Sequence, residues 1–598
     1  MLPFPLENNP FLTALQRPSN FAGETVTINL QHYNSSSMHA PWFLNSTSRA
    51  PHLRIGLLLD GPSPTLPAYL AEALEHIASS NFARLELAVF NAGAPRTTDE
   101  TNTGLFARYV AWDAKRISES PDPLLEIDCA RYFQDVESFS VTPIADQDFH
   151  RFPEDAVARI RDKNLDVLVS FGSRLLRGDI LNAARYGVWS YRHGDPEQYR
   201  GGPPYFWEIY EDNLLSCAAL ERLAGNPYEN QVLYKGYFAT IPGSSWARNR
   251  VQPYWGSTTF LIQKLHQLHE SGWASIEAEI PPADRGRKKR HTVPTGAQML
   301  PWLSKILLHT CVQRARHSIV GEELPHWMLG VKTENTSPGN RGQLNLRDFR
   351  WIQSPRGHFY ADPFVIEHDG KPWVFFEDLP YSTQKGIIAC AEIYADSTLS
   401  QTIPVLEKPY HLSYPCVFRD NGQLYMVPES VADETVQLYR CERFPDVWEP
   451  VKVLLKAPAV DTTVWIENGL YWFFLTLQEP RGGGLQLWLF YSRSLTGELI
   501  RHPRNPISTD IRFSRGAGAI FREDGKLIRP SQDCSGSYGR LIVFNEVTVL
   551  NEREFSERPG AVLDTRGVRN MIGTHSYGRV NDVVVIDGCM TLPAKRVC

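Results

Sequence analysis

The chain of 598 residues lacks the features that mark several specialised classes of protein. Its nine cysteines include no pair at CxxC spacing, which argues against a zinc site or a redox dithiol. No apolar run reaches the roughly 20 residues that a membrane-spanning helix needs. The net charge of −6 argues against a general nucleic-acid binder, which would show a basic face. We therefore expect no metal centre, no membrane span and no nucleic-acid partner.

A secretory signal is also missing from the start of the chain. The first residues, MLPFPLENNPFLTALQRPSN, have neither a basic start nor a continuous apolar core. An odd number of cysteines without such a signal favours a reducing compartment, so we expect a cytoplasmic protein. Residues 1–50 are rich in Asn, Ser and Pro with weak periodicity, and they predict a flexible N-terminal arm.

The length of the chain exceeds what one hydrophobic core serves, so two or more domains are expected. After the arm come an apolar strand over Arg54–Asp60, an amphipathic helix over Leu66–Ser79 and a strand over Leu85–Phe90. A further buried strand, LDVLVSF, lies at Leu165–Phe171. This order predicts an α/β Rossmann-like domain over residues 51–280.

The segment from Gly187 to Pro204, GVWSYRHGDPEQYRGGPP, is the most informative part of the chain. It predicts a strand that ends in a polar loop, and ligands of such sheets bind outside the carboxyl ends of the strands. The loop carries His193, Asp195 and Arg200, and its glycines let the backbone approach a ligand closely. We therefore expect the functional site of the first domain here.

This loop resembles the folate-dependent formyltransferases at Tyr199-Arg200-Gly201 and at Pro204. The resemblance implies a formyltransferase fold with 10-formyltetrahydrofolate as the cofactor. It also implies transfer of a one-carbon or related acyl group to an amine of a sugar or small metabolite. The residues implied to bind the cofactor are Gly172, Ser173, Arg200 and Gly201.

The catalytic part of the loop departs from the Asn-x-His motif of that family. Counting back from Tyr199 without gaps places Ser190 on the family Asn and Arg192 on the family His, with His193 one place later. In the implied mechanism His193 is the general base, and Asp195 orients it or serves as a second acid. Arg192 or Ser190 would donate a hydrogen bond to the oxyanion.

Residues 281–325 predict a linker that contains a helix, and the character of the sequence then changes. From residue 326 to 598 the chain repeats a strand, an Asp-Gly or Asn-Gly turn and a second strand. The units begin near Ala361, Ser413, Asp461, Gly516 and His575. A period of roughly 50 residues is typical of a propeller blade, so five units predict a five-bladed β-propeller.

The blades resemble the propellers of glycoside hydrolase family 43 and the propeller domain of plant glucosamine inositolphosphorylceramide transferases. The motifs that carry the likeness are Ala361-Asp-Pro-Phe364, Phe376-Glu-Asp378, Val427-Pro-Glu-Ser430, Arg529-Pro-Ser-Gln-Asp533 and His575-Ser-Tyr577. In such propellers the innermost strands point polar side chains into the central channel. The resemblance therefore implies a sugar or lipid-linked substrate.

Five polar residues of these motifs are expected to meet at the propeller axis. They are Asp362, Glu429, Asp461, Arg529 and His575. Glycoside cleavage uses one carboxyl group as proton donor and another as nucleophile or base, so the three acids are the catalytic candidates. Arg529 and His575 are then expected to bind substrate. The alternative is that these residues line the channel and only hydrogen-bond to one another, with no catalytic role.

Three functions remain open from the sequence. The first is a transferase that resembles a formyltransferase and works on a small molecule. The second is a glycosidase or glycosyl-transferring enzyme whose chemistry lies in the propeller. The third is a non-catalytic protein that binds a glycan or metabolite with two degenerate enzyme folds. The oligomeric state is not predicted.

Overall fold

A computed structural model of the chain describes residues 41–92, 104–115, 122–146, 149–172, 175–241, 243, 245–282, 290–320, 323–333, 345–478, 481, 484–566 and 568–593. The chain forms two compact units: one holds the described residues up to Ser304 together with 481 and 484, and the other holds the remaining described residues from Lys305 onward. Of the predicted arm over residues 1–50, residues 1–40 lie outside the described residues. The predicted domain limits at 51–280, 281–325 and 326–598 stay predictions.

The first unit contains helices and strands in alternation. Its helices, including one that continues past Ser304, are α1 Pro41–Leu44, α2 Ala68–Ser79, α3 Leu105–Ala114, α4 Glu154–Arg161, α5 Phe206–Tyr210, α6 Trp246–Asn249, α7 Val251–Gly256, α8 Phe260–Ser271, α9 Trp273–Glu277 and α10 Gly296–Val320. Its strands are β1 Leu53–Asp60, β2 Thr65–Pro67, β3 Ala83–Asn91, β4 Glu126–Asp128, β5 Glu137–Val141, β6 Ile144–Asp146, β7 Phe149–Arg151, β8 Val167–Ser170, β9 Leu175–Arg177, β10 Val188–His193, β11 Arg200–Gly201, β12 Leu215–Arg222, β13 Gln231–Ala239 and β14 Arg290–His291.

A seven-stranded sheet forms the centre of this unit, in the order β13-β12-β10-β8-β1-β3-β5. The strands from β10 to β5 are parallel, whereas β12 and β13 run antiparallel. The central strands are largely apolar and buried, as in β8 where Val167 to Ser170 are all buried, because both faces of such a sheet are covered. The predicted α/β sheet is therefore present, while its membership of the formyltransferase fold stays a prediction.

The second unit is built from strands. These are β15 Glu323–Lys332, β16 Arg350–Ile352, β17 His358–His368, β18 Lys371–Pro380, β19 Ile387–Glu392, β20 Ile403–Leu406, β21 Ser413–Asp420, β22 Gln423–Glu429, β23 Thr435–Arg443, β24 Val447–Lys456, β25 Ala459–Glu467, β26 Leu470–Gln478, β27 Leu485–Ser492, β28 Ile500–Arg501, β29 Arg515–Gly516, β30 Phe521–Glu523, β31 Lys526–Asp533, β32 Leu541–Leu550, β33 Phe555–Leu563, β34 Met571–Gly573, β35 Tyr577–Val580 and β36 Val583–Pro593.

These strands form five antiparallel sheets, which are the five blades of a β-propeller. Blade 1 is β17–β20, blade 2 is β21–β24, blade 3 is β25–β28 and blade 4 is β29–β33. Blade 5 joins β15 and β16 to β34–β36, so that β15 pairs with β36 and closes the ring. The first strands of neighbouring blades contact one another and so surround the axis. The predicted propeller is confirmed.

The hairpins within the blades have the turn geometry that their sequences predict. Four hairpins have a two-residue turn in which both residues have positive φ. These turns are Asp369-Gly370, Asn421-Gly422, Asn468-Gly469 and Asp524-Gly525. Asn, Asp and Gly tolerate this conformation, and the turn twist that it produces matches the twist of paired strands. The turns therefore fix the register of each hairpin. Among the described residues no helix is long and apolar enough to span a membrane.

Candidate functional site

The first strands of blades 1, 2 and 3 are each interrupted by a β-bulge at an equivalent place. A residue with positive φ stands at each bulge: Asp362 at 54°, Tyr414 at 42° and Asp461 at 51°. This conformation costs a non-glycine residue roughly 1–3 kcal/mol, and such strain clusters at functional sites. A bulge also re-aims a side chain out of the alternating pattern of the strand. The bulges therefore indicate that Asp362 and Asp461 are candidate functional residues at the axis.

Asp362 is buried against blade 5. Its Oδ1 accepts a hydrogen bond from Ser576 Oγ at 2.8 Å and lies 3.5 Å from Nε2 of His575. The other ring nitrogen of His575, Nδ1, lies 2.6 Å from Oδ2 of Asp587. Asp587 also accepts the backbone N–H groups of Asp362, His575 and Ser576. Asp587 is thus a fully buried anchor that fixes both the histidine and the strained backbone of Asp362.

Glu429 and Asp461 form the second part of the cluster. The backbone N–H of Asp461 donates to Oε2 of Glu429 at 3.1 Å. The Asp461 carboxylate binds the guanidinium of Arg515 through two hydrogen bonds of 2.5 and 3.0 Å. Both partners of this ion pair are largely buried. The bidentate pair holds Asp461 in one orientation beside Glu429.

Glu377 is a further buried carboxyl group in the cluster, and the sequence reasoning missed it. It stands opposite Ala361 in blade 1, as Glu429 stands opposite Ser413 in blade 2. Its Oε1 lies 3.3 Å from Nε2 of His411. The equivalence could have been seen in the motifs Phe376-Glu-Asp378 and Val427-Pro-Glu-Ser430, which hold a Glu at the same place in two consecutive units.

The carboxyl groups at the axis outnumber the cations, and their pKa values reflect this. Burial, aided by Asp461, raises the pKa of Glu429 to about 8. Burial and the neighbouring charge of Asp362 raise the pKa of Glu377 well above its ordinary value. Burial also raises the pKa of Asp362, although His575 opposes the shift. The site therefore holds protonated carboxyl groups at neutral pH, which can act as proton donors.

The pKa of His575 is shifted in the opposite direction from that of most buried histidines. Burial alone would lower its pKa, but the carboxylates of Asp587 and Asp362 outweigh burial and raise it. The ring stacks on Trp327 at a centroid distance of 4.0 Å, and Tyr538 lies edge-on at 5.3 Å. Tyr538 also lies under the guanidinium of Arg515 at 4.9 Å. Two aromatic side chains thus flank the charged groups, an arrangement that suits a sugar ring.

Asp362, His575 and Asp587 offer ligand atoms within 4.8 Å of one another, which could hold a metal ion. The oxygens of Asp587 are already filled, because they accept three backbone N–H groups and face the His575 ring. This donor set fits a hydrogen-bonded imidazolium better than a bound cation.

Arg529 does not join the cluster, which corrects the sequence prediction. It is buried, but its guanidinium donates to Glu557 of β33 at 2.6 and 2.8 Å and to the carbonyl of Phe513. Side chains alternate along β31, so Arg529 and Gln532 point to opposite faces. Gln532 is the residue of that strand whose side chain reaches Asp461, at 3.5 Å. The arginine that binds Asp461 at the axis is Arg515, not Arg529.

The predicted site of the first unit surrounds His193 at the carboxyl end of β10. Its Nδ1 lies 2.7 Å from the hydroxyl of Tyr205, and its Nε2 lies 3.2 Å from that of Tyr69. The ring of Tyr254 packs against the imidazole at 4.1 Å. Burial, aided by the charge of Arg192, lowers the pKa of His193 to about 3. The histidine is therefore neutral and held between tyrosines.

Asp195 does not orient His193, in contrast to the sequence prediction. Its Oδ1 accepts the backbone N–H of Glu197 at 2.7 Å, and its Oδ2 accepts the Tyr237 hydroxyl at 3.1 Å. These two hydrogen bonds stabilise the loop after β10, and the bond from the Glu197 N–H closes the first turn of that loop.

Ser190 and Arg192 are also separated from His193. Successive side chains of a strand point to opposite faces, so both residues project away from the face of Tyr191 and His193. Ser190 donates to the carbonyl of Ser170, and Arg192 lies 4.0 Å from Glu221. The structure thus does not bring the expected oxyanion donors to the expected base.

The predicted cofactor residues lie in two separate cavities. Arg200 and Gly201 line one small pocket together with Glu208 and His291. Gly172 lines another with Asp60, at the carboxyl ends of β1 and β8. Ser173 lies outside the described residues. The three described residues, Gly172, Arg200 and Gly201, therefore do not line one pocket.

A family model described as glucosamine inositolphosphorylceramide transferase 1, N-terminal, matches residues 351–571. The chain is 35% identical over 207 residues to glucosamine inositolphosphorylceramide transferase 1 of Arabidopsis thaliana, covering 33% of this chain and 27% of that protein. The protein of the same name from Oryza sativa subsp. japonica is 34% identical over 207 residues, covering 34% and 28%. The predicted similarity of the propeller to these transferases is confirmed. The chain spans little more than a quarter of the length of these relatives.

Solved structures offer more distant likenesses. A family 117 glycoside hydrolase from Zobellia galactanivorans is 10% identical with a TM-score of 0.30, covering 45% of this chain and 91% of that one. Glycinamide ribonucleotide transformylase 1 from Symbiobacterium toebii is 13% identical with a TM-score of 0.26, covering 41% and 99%. Scores this low carry no argument, so the fold assignment rests on the sheets described above.

Proposed function

We propose that this chain is a glycosyl-transferring enzyme that acts on the headgroup of an inositolphosphoryl sphingolipid at the propeller axis. The observation that carries the proposal is the buried pair of strained aspartates, Asp362 and Asp461, with the Glu429 carboxyl accepting the backbone N–H of Asp461. The family match over blades 1 to 4 and part of blade 5 supports the substrate class. This proposal favours the second of the three functions left open by the sequence over formyl transfer.

The proposed chemistry breaks one glycosidic C–O bond and forms another. Glu429 is protonated up to about pH 8 and donates its proton to the leaving oxygen. The acceptor hydroxyl attacks the anomeric carbon and gives its proton to Asp362, which Ser576 and His575 hold in place. One carboxyl group thus loses a proton and another gains one, as in enzymes that work on glycosidic bonds.

Arg515 and the flanking aromatic rings provide the substrate contacts of the proposal. The guanidinium is held by Asp461 and lies over Tyr538, so a positive charge stands at the edge of the cluster. An arginine in this position suits the phosphate of an inositolphosphoryl headgroup. Trp327 and Tyr538 would stack on the sugar.

The test is incubation of inositolphosphorylceramide with an activated glycosyl donor, and of its glucosamine-bearing form with an acceptor alcohol, followed by mass spectrometry of the lipids. Asp362→Asn should lose activity and keep the melting temperature, and Glu429→Gln should lose activity and keep it near pH 5, where the wild-type carboxyl is also protonated. Asp446→Asn and Glu407→Gln change exposed carboxylates of the same propeller and should behave as wild type. A wild-type chain that binds the headgroup but converts neither lipid would reduce the proposal to headgroup binding, the third function.

A second candidate function is formyl transfer in the first unit, with 10-formyltetrahydrofolate as the donor. The observation that favours it is the neutral His193 at the carboxyl end of β10. A neutral imidazole can accept a proton from an amine. Calorimetry with a stable 10-formyltetrahydrofolate analogue tests this function, and absence of binding at millimolar ligand would end it.

A further inference from the structure

Two carboxyl groups at the propeller axis hold the strained backbone of the next blade. Oδ2 of Asp587, in blade 5, accepts the backbone N–H of Asp362 in blade 1 at 3.1 Å. Oε2 of Glu429, in blade 2, accepts the N–H of Asp461 in blade 3 at the same distance. Both bonds end on a residue with positive φ, so the two acids have a structural role as well as a chemical one.

Glu377 occupies the equivalent place in blade 1 and departs from this pattern. Among the described residues, no hydrogen bond links its carboxyl group to Tyr414, the residue with positive φ at the bulge of blade 2. The side chain is 7% exposed, and its Oε1 has no hydrogen-bond partner in the described part of the chain. A buried carboxyl group without a hydrogen bond is costly, which indicates a role other than holding the backbone.

The basic side chain beside Glu377 is His411, whose Nε2 lies 3.3 Å from Oε1. Nδ1 of His411 accepts the backbone N–H of Gly386 at 3.0 Å, so this nitrogen carries no proton. Burial also lowers the pKa of His411 to about 4. The imidazole is therefore neutral at neutral pH and supplies no positive charge to Glu377.

The cations at the axis are engaged by other acids. Arg515 binds Asp461 through two hydrogen bonds, and His575 lies between Asp362 and Asp587. The charges that act on Glu377 are negative and raise its pKa; they belong to Asp362, Glu429, Asp587 and Asp378. A positive charge beside Glu377 must therefore come from a ligand.

We propose that Glu377 binds the free amino group of an amino sugar at the propeller axis. An ammonium group donates three hydrogen bonds and accepts none, which matches a carboxylate without a donor of its own. As the pair forms, the carboxyl group releases its proton to solvent and the ammonium balances the carboxylate charge. An N-acetylated amine or a hydroxyl is neutral and leaves that charge unbalanced. The inference rests on the proposed function only for the sugar that the axis receives.

The test is calorimetry of the full chain with the methyl glycosides of glucosamine, N-acetylglucosamine and glucose, in EDTA. At pH 6 the amine and Glu377 are both protonated before binding. The wild type should bind the amine ~10-fold or more tightly than the other two glycosides. Its binding heat should change with the ionisation enthalpy of the buffer, because a proton is released.

Glu377→Gln should lower the affinity for the amine by ~10-fold or more and remove the buffer dependence. It resembles the protonated carboxyl group, so the melting temperature and the affinity for the glucoside should stay as in the wild type. Asp378→Asn is the matched control in the same strand. Its side chain points to the opposite face and binds Nδ1 of His358 at 2.7 Å, so the variant should keep the preference for the amine.

Four results would overturn the inference. The first is wild-type protein that binds the three glycosides equally, or none of them at tens of millimolar. The second is a folded Glu377→Gln variant that keeps the preference. The third is an equal loss in Asp378→Asn, since the preference would then come from the general negative field. The fourth is a preference that EDTA abolishes, because a metal ion would then supply the charge.

The two proposals fail in distinguishable ways, because binding of the glycosides requires no turnover. Wild-type protein that prefers the amine but converts neither lipid would contradict the proposed function and leave the amine site. Wild-type protein that converts the lipids without preferring the amine would contradict the amine site alone.

Discussion

His193 in the α/β unit and His575 in the propeller are both buried, yet their protonation states differ. His193 is surrounded by tyrosine hydroxyls and rings, and burial lowers its pKa to about 3. His575 lies between Asp362 and Asp587, whose charges outweigh burial and raise its pKa. The difference shows that the charge of the neighbours, and not burial alone, decides what a buried histidine can do. At the propeller axis, carboxyl groups with raised pKa values stand with a histidine whose pKa is also raised, and we propose the chemistry there on this combination of proton donors and acceptors.

The largest expected effect separates the two regions by activity. Asp362→Asn should reduce conversion of the inositolphosphoryl lipid by ~10²–10⁴-fold, because it removes the proposed base. His193→Ala should leave the same activity within about twofold, since His193 lies in the other unit. The measurement is initial rate by mass spectrometry, on variants with wild-type circular dichroism. A loss of ~10²-fold in His193→Ala with an active Asp362→Asn would reverse the assignment of the chemistry.

Arg515→Gln should produce the largest change in stability. It leaves Asp461 buried without its partner, and breaking a buried ion pair costs about 3–5 kcal/mol. Arg558→Gln breaks an exposed pair with Glu546 and is the control, with no measurable change in the urea midpoint expected. Equal midpoints for the two variants would show that solvent reaches Asp461 and that the axis is less buried than the geometry indicates.

The pH dependence of stability tests the carboxyl cluster. The pKa of Glu429 is raised from 4.5 to about 8, so its protonated form stabilises the fold below the unfolded value. This contribution is lost as pH rises through about 8. The Glu429→Gln variant cannot ionise at this position. Its melting temperature should therefore rise relative to that of the wild type as the pH is raised from 5 to 8. Parallel curves for the two proteins would contradict the raised pKa.

The smallest expected effect concerns His193, whose pKa is lowered. Because the folded state holds the imidazole neutral, its contribution to stability is present above the unfolded pKa of 6.5 and is lost as pH falls toward about 3. His193→Gln removes that titration, so the variant should lose less stability than the wild type between pH 6.5 and pH 4. Thermal unfolding across this range measures it, and an equal loss in both proteins would place water beside the imidazole.

Local sequence determined the repeated architecture of this protein. The Asn-Gly and Asp-Gly pairs form tight turns because those residues tolerate positive φ, and apolar alternation fixes the inner face of each strand. The apolar strand Val167–Ser170 was likewise readable, since a parallel strand covered on both faces is apolar throughout. Asp362, Asp461, Glu429 and His575 stood in repeated motifs, and these residues do meet at the axis.

The partners of those residues were decided only by the tertiary structure. Arg515 and Arg529 are both arginines of blade 4. The side chain of Arg529 lies on the face of β31 that meets Glu557, whereas the side chain of Arg515 on β29 reaches Asp461. Likewise His193 faces Tyr69 and Tyr254, which lie in distant segments, so its neutrality could not be read from the loop that carries it. Sequence fixes periodicity because it acts through neighbours along the chain. Charge state depends on groups hundreds of residues apart, such as Asp362 and His575, which only the closed ring of blades brings together.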